Sequence, residues 1–415
     1  MHTLAQLTSG ELTGIKRLKL AENLTSFPTE ILSLADSLEI LDLTDNQLTT
    51  LPDEIKQLRK LKILFASNNQ FEVLPEVLGE CENLEMIGFK ANKIRHVSEC
   101  ALPQKLRWLI LTDNELESLP DSLGHRPRLQ KLALAGNRLT HLPQSMSNLH
   151  NLELLRISAN QLQQCPQQLL DLPKLAWFAF AGNPFCQCDL HIQSVPSIAS
   201  SRYTLQEVLG QGASGVISKA VWNQAQDEFP AEIAVKVFKG EITSDGYPED
   251  ELQACLKLGS HPNLVQSLAQ VEEPDYLALI MALIPSHYRN LGLPPSLDSC
   301  TRDTFPSGFA LPIDQIDKIV HEMTDVFEHL HANQVCHGDL YAHNTLFDEQ
   351  ANIIFGDFGA ASMYHMLDHE QQEKIKTIEH RALIHFIDDL LSICEESERN
   401  TAGFLRLQGK VRDLN

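Results

Sequence analysis

A spacing of 23 residues governs the first half of the chain. Leu38, Leu41, Leu43, Asn46, Leu48, Leu51 and Pro52 spell a unit Leu-x-x-Leu-x-Leu-x-x-Asn-x-Leu-x-x-Leu-Pro. Units open at Ile15, Leu38, Leu61, Leu84, Leu106, Leu129, Leu152 and Leu175, with successive separations of 23, 23, 23, 22, 23, 23 and 23 residues. The asparagines keep step at Asn23, Asn46, Asn69, Asn92, Asn114, Asn137, Asn160 and Asn183. One such unit cannot bury its apolar face alone, so eight in register force a stack in which neighbours supply the core. Within a unit, a short strand such as Leu41-Asp42-Leu43 points its leucines inward. The Asn can hydrogen-bond the neighbouring turns, and Leu51-Pro52 turns the chain onto a convex side closed by Ile55 and Leu58.

These units resemble the leucine-rich repeat family, and the resemblance covers about residues 15 to 185. It implies an α/β solenoid of about eight repeats whose concave sheet binds a protein partner or substrate. The residues between the leucines are expected to line that sheet: Arg17, Lys19, Asp42, Phe65, Met86, Trp108, Ile110, Lys131, Arg156 and Trp177. Trp108 and Trp177 are the candidate anchors for a partner. The competing reading is that each merely packs on its strand neighbours. Asn183-Pro184-Phe185-Cys186-Gln187-Cys188 is similar to the opening of the disulfide-bonded cap on extracellular leucine-rich repeats. That cap needs two further cysteines a few dozen residues on, and the next here is Cys255, 67 residues past Cys188. The pair therefore reads as an ordinary end cap with free thiols, and Cys-x-Cys with His191 lacks a fourth metal ligand. The repeat domain with its caps is expected over residues 1–188.

Length and charge narrow the function classes. A chain of 415 residues suggests two or three domains. The net charge of −22 argues against nucleic acid and against an anionic membrane surface. Nine mostly isolated cysteines do not make a disulfide framework. Met1 to Gln6 lacks the pattern of a signal peptide and no run approaches eighteen apolar residues, so a cytoplasmic location is expected.

Residues 189–202 lose the repeat and turn to Ser, Pro and Ala, which marks a linker. Next comes Leu209-Gly210-Gln211-Gly212-Ala213-Ser214-Gly215-Val216 between two β-type runs. This Gly-x-Gly-x-x-Gly is weak alone, because dinucleotide-binding folds share it. There the third glycine opens a helix, whereas here Val216-Ile217 and Ala220-Val221-Trp222 continue as a strand. Ile233-Ala234-Val235-Lys236-Val237 follows and sets a lysine in an apolar alternating strand, well placed to hold phosphates. Pro248 to Leu258 reads as a helix, and His261-Pro262-Asn263 ends the connection. Glu251 fits the phase of an acidic partner for Lys236, with Cys255 and Leu258 on its face, and Glu249 is the alternative. A strand over Leu277–Ile284 comes next, then a Pro/Ser-rich insert at 285–312 and helical periodicity from Ile313 to Leu330.

His337-Gly338-Asp339-Leu340-Tyr341-Ala342-His343-Asn344 follows, with Asp357-Phe358-Gly359 thirteen residues further on. The first Asp can orient a hydroxyl and take its proton, while Asn344 and Asp357 offer hard oxygen ligands for Mg²⁺ on nucleotide phosphates. The paired spacing resembles the catalytic and metal-binding loops of the protein kinase superfamily, and the resemblance covers about residues 203 to 390. It implies an α+β bilobal domain, taken as 203–394, with a tail at 395–415. By that match Asp339 is the catalytic base, Asn344 and Asp357 are metal ligands, and Lys236 with Glu251 is the phosphate clamp. Nucleotide contacts fall to Leu209, Gly210, Gln211, Gly212, Gly215, Val216, Ile217, Ala234, Lys236, Glu251, Ala282 and Ile284, with Met281 as gatekeeper. ATP and Mg²⁺ are the implied cofactors. His337, Tyr341 and His343 read as loop packing.

Three departures qualify the match. Gly338 stands where an arginine usually precedes the catalytic Asp, and Tyr341 where protein Ser/Thr kinases place a lysine. Only 56 residues follow Gly359, without an Ala-Pro-Glu motif, which implies a truncated C-lobe. Ile378 to Leu391 reads as the first helix after the activation segment, Glu379 standing in for the usual helix-start Asp. The leading reading is a Ser/Thr protein kinase whose solenoid recruits a partner. Two rivals remain open. His-Gly-Asp-Leu also resembles the aminoglycoside and choline kinases, which act on small molecules, and Tyr341 with the short lobe motivates a nucleotide-binding scaffold without turnover.

Overall fold

A computed structural model describes residues 1–187, 194–212, 214–225, 227–240, 242–243 and 245–412. These fall into two compact units, Met1–Leu175 with Asn183–Phe185, and Ala176–Gly182 with Cys186–Asn415.

Each repeat contributes one three-residue strand: β1 Arg17–Lys19, β2 Ile40–Asp42, β3 Ile63–Phe65, β4 Met86–Gly88, β5 Trp108–Ile110, β6 Lys131–Ala133, β7 Leu154–Arg156 and β8 Trp177–Ala179. In the first unit β1 to β7 pair in chain order and in parallel, Leu18 opposite Leu41 opposite Leu64. The strand sits one residue earlier than its leucine pattern suggests, and both Leu41 and Leu43 are fully buried. Short helical turns follow the repeat prolines on the convex side, as at Asp53–Gln57 after Pro52 and Asp121–His125 after Pro120. Proline suits the position because its φ is already fixed and it has no N–H to place.

The asparagines satisfy the backbone between coils. Asn69 donates to the carbonyls of Ala66 in its own coil (3.1 Å) and Leu43 in the preceding one (2.9 Å), and accepts the Leu48 N–H at 2.8 Å. Asn137 and Asn160 repeat the pattern with the same sequence offsets, and Asn114 repeats it with both cross-coil offsets one residue shorter, as its 22-residue unit requires. Turn carbonyls that no strand could pair are thereby met inside the stack. Asn23, the first of the series, is exposed instead.

The expected tryptophan anchors are corrected here. Trp108 is only 7% exposed, with the Lys131 ammonium 4.9 Å from its ring centroid. Parallel strands set side chains of successive coils close enough to cover one another. Trp177 is 1% exposed and belongs to the second unit. Met86 and Arg156, also assigned to the concave face, are buried as well.

In the second unit, β9 (Tyr203–Gln211), β10 (Gly215–Trp222), β11 (Glu232–Phe238), β12 (Ser267–Glu273) and β13 (Tyr276–Ala282) form an antiparallel sheet in the order β12-β13-β11-β10-β9. One face buries Tyr203, Ala220, Ile233, Val235, Val271 and Ile280. The other buries Ala234, Phe238, Leu279 and Met281 with Leu252 and Leu256 of helix α3 (here Pro248–Leu258; α1 and α2 are the short Leu4–Thr8 and Gln167–Leu170). Below lie α4 (Ile313–Ala332), α5 (His369–Ser392) and α6 (Ala402–Arg412), with strand pairs β15 (Val335–Cys336) and β18 (Ser362–Met363), and β16 (Thr345–Phe347) and β17 (Ile353–Phe355).

Four sequence readings change in this unit. The linker is packed where it is described: Ile198 is buried, its N–H donates to the Gln270 carbonyl at 2.9 Å, and Ser194 bonds Leu256. Cys188 and His191 lie outside the described residues; Cys186 is buried, its sulfur 3.3 Å from the Phe180 carbonyl oxygen. The insert pairs β14 (Arg289–Asn290) with β16 and buries Leu291, Cys300 and Thr301. The tail folds as α6, with Phe404, Leu407 and Val411 buried on one side at helical spacing. Helix α5 begins nine residues before Ile378, at His369, because Asp368 and Gln371 form a capping box there.

Candidate active site

Lys236 lies on β11 opposite Ile217 of β10 and Leu279 of β13, on the face that α3 covers. Its ammonium forms a buried ion pair with Glu251, the residues being 8% and 4% exposed. Glu251 occupies the inward face of α3, whereas Glu249 is exposed. Burial alone would pull the Lys236 pKa down, but the Glu251 and Asp357 carboxylates outweigh it and hold the lysine charged, above its ordinary value. The site thus fixes a cation under the sheet at the cost of a fully desolvated pair.

The glycine-rich turn joins β9 to β10. Gly212 donates to the Gly215 carbonyl at 3.0 Å, Leu209, Gln211 and Gly212 are exposed, and Ala213 lies outside the described residues. Gly215 is required by proximity: a Cβ there would stand 2.4 Å from the Val237 carbonyl oxygen. Val216 and Ile217 carry the strand on; Ile217, Ala234 and Met281 pack in one cluster on the face that holds Lys236. Ala282 ends β13 and Ile284 follows two residues later, both half-buried.

Asp339 and Asn344 are tied directly, the Asn344 amide donating to the Asp339 carboxylate and carbonyl, each at 3.0 Å. Asp357 has a left-handed backbone, φ 56° and ψ 73°, a conformation that costs a non-glycine residue energy and recurs at functional turns. Gly356 beside it donates to the Asn344 carbonyl at 3.2 Å, so the two loops are joined through backbone. His337 is fully buried, stacks on Phe355 at 4.2 Å and meets Phe358 edge-on at 4.7 Å. It holds the loop by packing and by hydrogen bonds, its Nδ1 accepting the Asp339 N–H at 3.2 Å and its Nε2 lying 3.0 Å from the Gly356 carbonyl oxygen. Asn263 links the top of this region to β17 and α4 through Ile353 and Glu322.

Three side chains from distant elements take up the backbone groups of the loop. Glu379 of α5 accepts the N–H groups of His337 (2.7 Å) and Gly338 (3.2 Å). Asp303, from the insert, accepts the Ala342 N–H with both oxygens, and Arg302 beside it bridges to Asp388 and Asp389. The indole N–H of Trp177 donates to the Leu340 carbonyl at 2.9 Å. Sequence reasoning assigned Asp303 no role and sent Trp177 to a different surface. Glu379 alone carried a signal, as an acid in the first helix after the loop.

Gly338 and Tyr341, the two departures, are both explained by their surroundings. Gly338 has φ 70°, and a Cβ there would lie 2.7 Å from the Phe178 carbonyl oxygen and 2.9 Å from that of Ala360. No arginine fits. Tyr341 is buried, stacked between Trp177 (5.2 Å) and His343 (5.3 Å).

A family model described as protein kinase domain matches residues 203–382, and leucine-rich repeat models match 37–58, 104–162 and 127–185. The chain carries leucine-rich repeats and a protein kinase domain. Serine/threonine-protein kinase 1 of Arabidopsis thaliana is 31% identical over 169 residues, which is 39% of this chain and 18% of its own. Serine/threonine-protein kinase PkaA of Streptomyces coelicolor is 30% identical over 181 residues, 39% of this chain and 30% of its own. Tyrosine-protein kinase receptor TYRO3 of Gallus gallus is 26% identical over 180 residues, 42% and 20% respectively. The chain thus spans less than a third of the length of each. Among solved structures, a leucine-rich repeat protein of Leptospira interrogans is similar at 25% identity and a TM-score of 0.28, covering 43% of this chain and 57% of its own. No helix among the described residues is long and apolar enough to cross a membrane.

Proposed function

We propose that the kinase domain transfers the terminal phosphoryl group of ATP to serine or threonine of a protein partner recruited by the repeats. The observation that carries this reading is the Asp339–Asn344 pair joined through Gly356 to Asp357, with the Lys236–Glu251 ion pair above. Asp339 orients the acceptor hydroxyl and receives its proton. Lys236, held charged by Glu251, neutralises phosphate oxygens, and the glycine turn at 210–215 brings backbone N–H groups to them. Asn344 and Asp357 fit a hard cation: both present oxygen donors, and Asp357 is set by its left-handed backbone within electrostatic reach of Lys236. A bound Mg²⁺ would supply charge neutralisation on the phosphates.

Serine or threonine is favoured because the catalytic loop holds no arginine of the kind tyrosine kinases carry there. Recruitment by the solenoid rests on the general use of such repeats in protein binding. Labelling with radioactive ATP followed by phosphoamino-acid analysis tests the acceptor: phosphoserine or phosphothreonine supports the reading, and phosphotyrosine alone overturns it. Labelled amino-alcohols or aminoglycosides with no labelled protein would instead support the small-molecule reading.

One observation favours the nucleotide-binding scaffold. Tyr341 is buried in a ring stack and brings no positive charge to the position where these enzymes carry lysine. A wild type that binds nucleotide and never turns over would establish it.

A further inference from the structure

Residues 176–182 precede the catalytic loop by more than 150 positions, yet they run along it inside the second unit. The Phe178 carbonyl lies 3.9 Å from the Cys336 thiol and faces the Cα of Gly338, where only the missing Cβ leaves room. The Trp177 indole N–H reaches the Leu340 carbonyl, one residue past Asp339. Its ring stacks on Tyr341 at an interplanar angle of 3° and on His385 of α5 at 13°. Further along, the Phe180 and Ala181 N–H groups both donate to the Ser362 hydroxyl oxygen, at 2.9 and 3.0 Å. Ser362 follows Asp357-Phe358-Gly359 by three residues and pairs with Cys336 in the β15–β18 ladder. The segment therefore touches the loop carrying Asp339 and the strand after the loop carrying Asp357.

We infer that Trp177 is a positioning residue for the proposed phosphoryl transfer: its indole fixes the Leu340–Tyr341 peptide and so the setting of Asp339. A general base must sit within hydrogen-bond reach of the proton it takes, and a displacement of about 1 Å can cost on the order of a hundredfold in rate. Asn344 constrains Asp339 from the C-terminal side through its carboxylate and carbonyl. Trp177 constrains the next peptide, which Asn344 does not reach. The stack with Tyr341 gives that ring a place in the position where a lysine would otherwise project. On this account the catalytic unit begins at residue 176, well before the glycine-rich turn, and a chain cut at 203 lacks a support of its own catalytic loop.

The inference rests on the kinase reading for its effect on turnover, and its structural half is measured separately. In the full chain, Trp177→Phe keeps an aromatic ring for the stack and removes the indole donor together with the second ring. Amide exchange over residues 337–344 is expected to quicken by about tenfold or more relative to wild type, with exchange of the five-stranded sheet unchanged. The kcat for phosphate transfer is expected to fall by about ten- to a hundredfold, with KM for ATP within about twofold. Loop protection equal to wild type, or quickened exchange with an unchanged kcat, overturns it. An inactive wild type removes the kinase reading, and the loop exchange then decides by itself whether Trp177 holds the loop. Should Trp177→Phe fail to fold, Ser362→Ala, which removes the acceptor of the Phe180 and Ala181 amides, carries the same two readouts.

Discussion

Both carboxylate oxygens of Asp303 accept the N–H of Ala342, at 2.9 and 3.0 Å, so the insert between β13 and α4 holds the catalytic loop from outside. Asp303→Ala would strand that N–H and is expected to destabilise the second unit by about 1–3 kcal/mol, measured by urea unfolding. Burial pushes the Asp303 carboxyl from its ordinary 3.8 up to about 8; Asp389 and Asp339 add to the rise, while the Ala342 N–H and Arg302 oppose it. A carboxyl raised on folding favours the native state most below pH 3.8, and that contribution disappears as pH climbs through about 8. Wild type should therefore lose stability over this window relative to Asp303→Asn. Parallel pH profiles for the two proteins would contradict the assignment.

Lys236 and Glu251 share one buried ion pair, and removing one partner leaves the other uncompensated. Lys236→Met is expected to cost roughly 3–5 kcal/mol, and Lys236→Met with Glu251→Leu less than Lys236→Met alone. Unfolding midpoints of the single and double variants give the comparison directly.

The backbone at Gly338 has no room for a side chain. Gly338→Ala meets two carbonyl oxygens under 3 Å and a left-handed φ, and should cost on the order of 1–3 kcal/mol from the backbone alone. Restoring the family's arginine there is expected to lower stability as well, so Gly338→Arg should not create a site that responds to activation-loop phosphorylation. A stable Gly338→Arg protein would refute this.

In the solenoid, Asn114 serves the Phe89 and Leu111 carbonyls and the Ile94 N–H at once. Asn114→Ala leaves these three buried groups without that partner at about 1–3 kcal/mol each, so at least about 3 kcal/mol should be lost from the first unit. Circular dichroism of urea unfolding measures it. A neutral Asn114→Ala would mean the coils do not depend on the ladder.

The parts of this chain that were legible in sequence are those whose chemistry is short-range or periodic. Leucine spacing gave the coils because burial repeats with the unit, and Glu251 emerged from helical phase against Lys236. Asp339, Asn344 and Asp357 stood out because the roles proposed for them demand fixed residue types a few positions apart. What escaped are contacts between distant segments: Trp177 to Leu340 spans 163 residues, Glu379 to His337 42, and Asp303 to Ala342 39. No local pattern encodes such a pairing. The concave-face tryptophans failed for a related reason. Strand alternation says which side a residue faces, but what lies on top of it is set by the neighbouring coil for Trp108 and by Tyr341 and His385 for Trp177.

The central claim is that Asp339 turns bound nucleotide into phosphate transfer, and it is tested most directly by comparing wild type with Asp339→Ala in Mg²⁺-dependent transfer from labelled ATP, with nucleotide affinity measured alongside. Wild type should label itself or a protein acceptor, and Asp339→Ala should bind ATP equally while its turnover falls by about a hundredfold or more. Equal turnover for the two proteins on every acceptor, with nucleotide bound by both, would contradict the account and leave a nucleotide-binding scaffold.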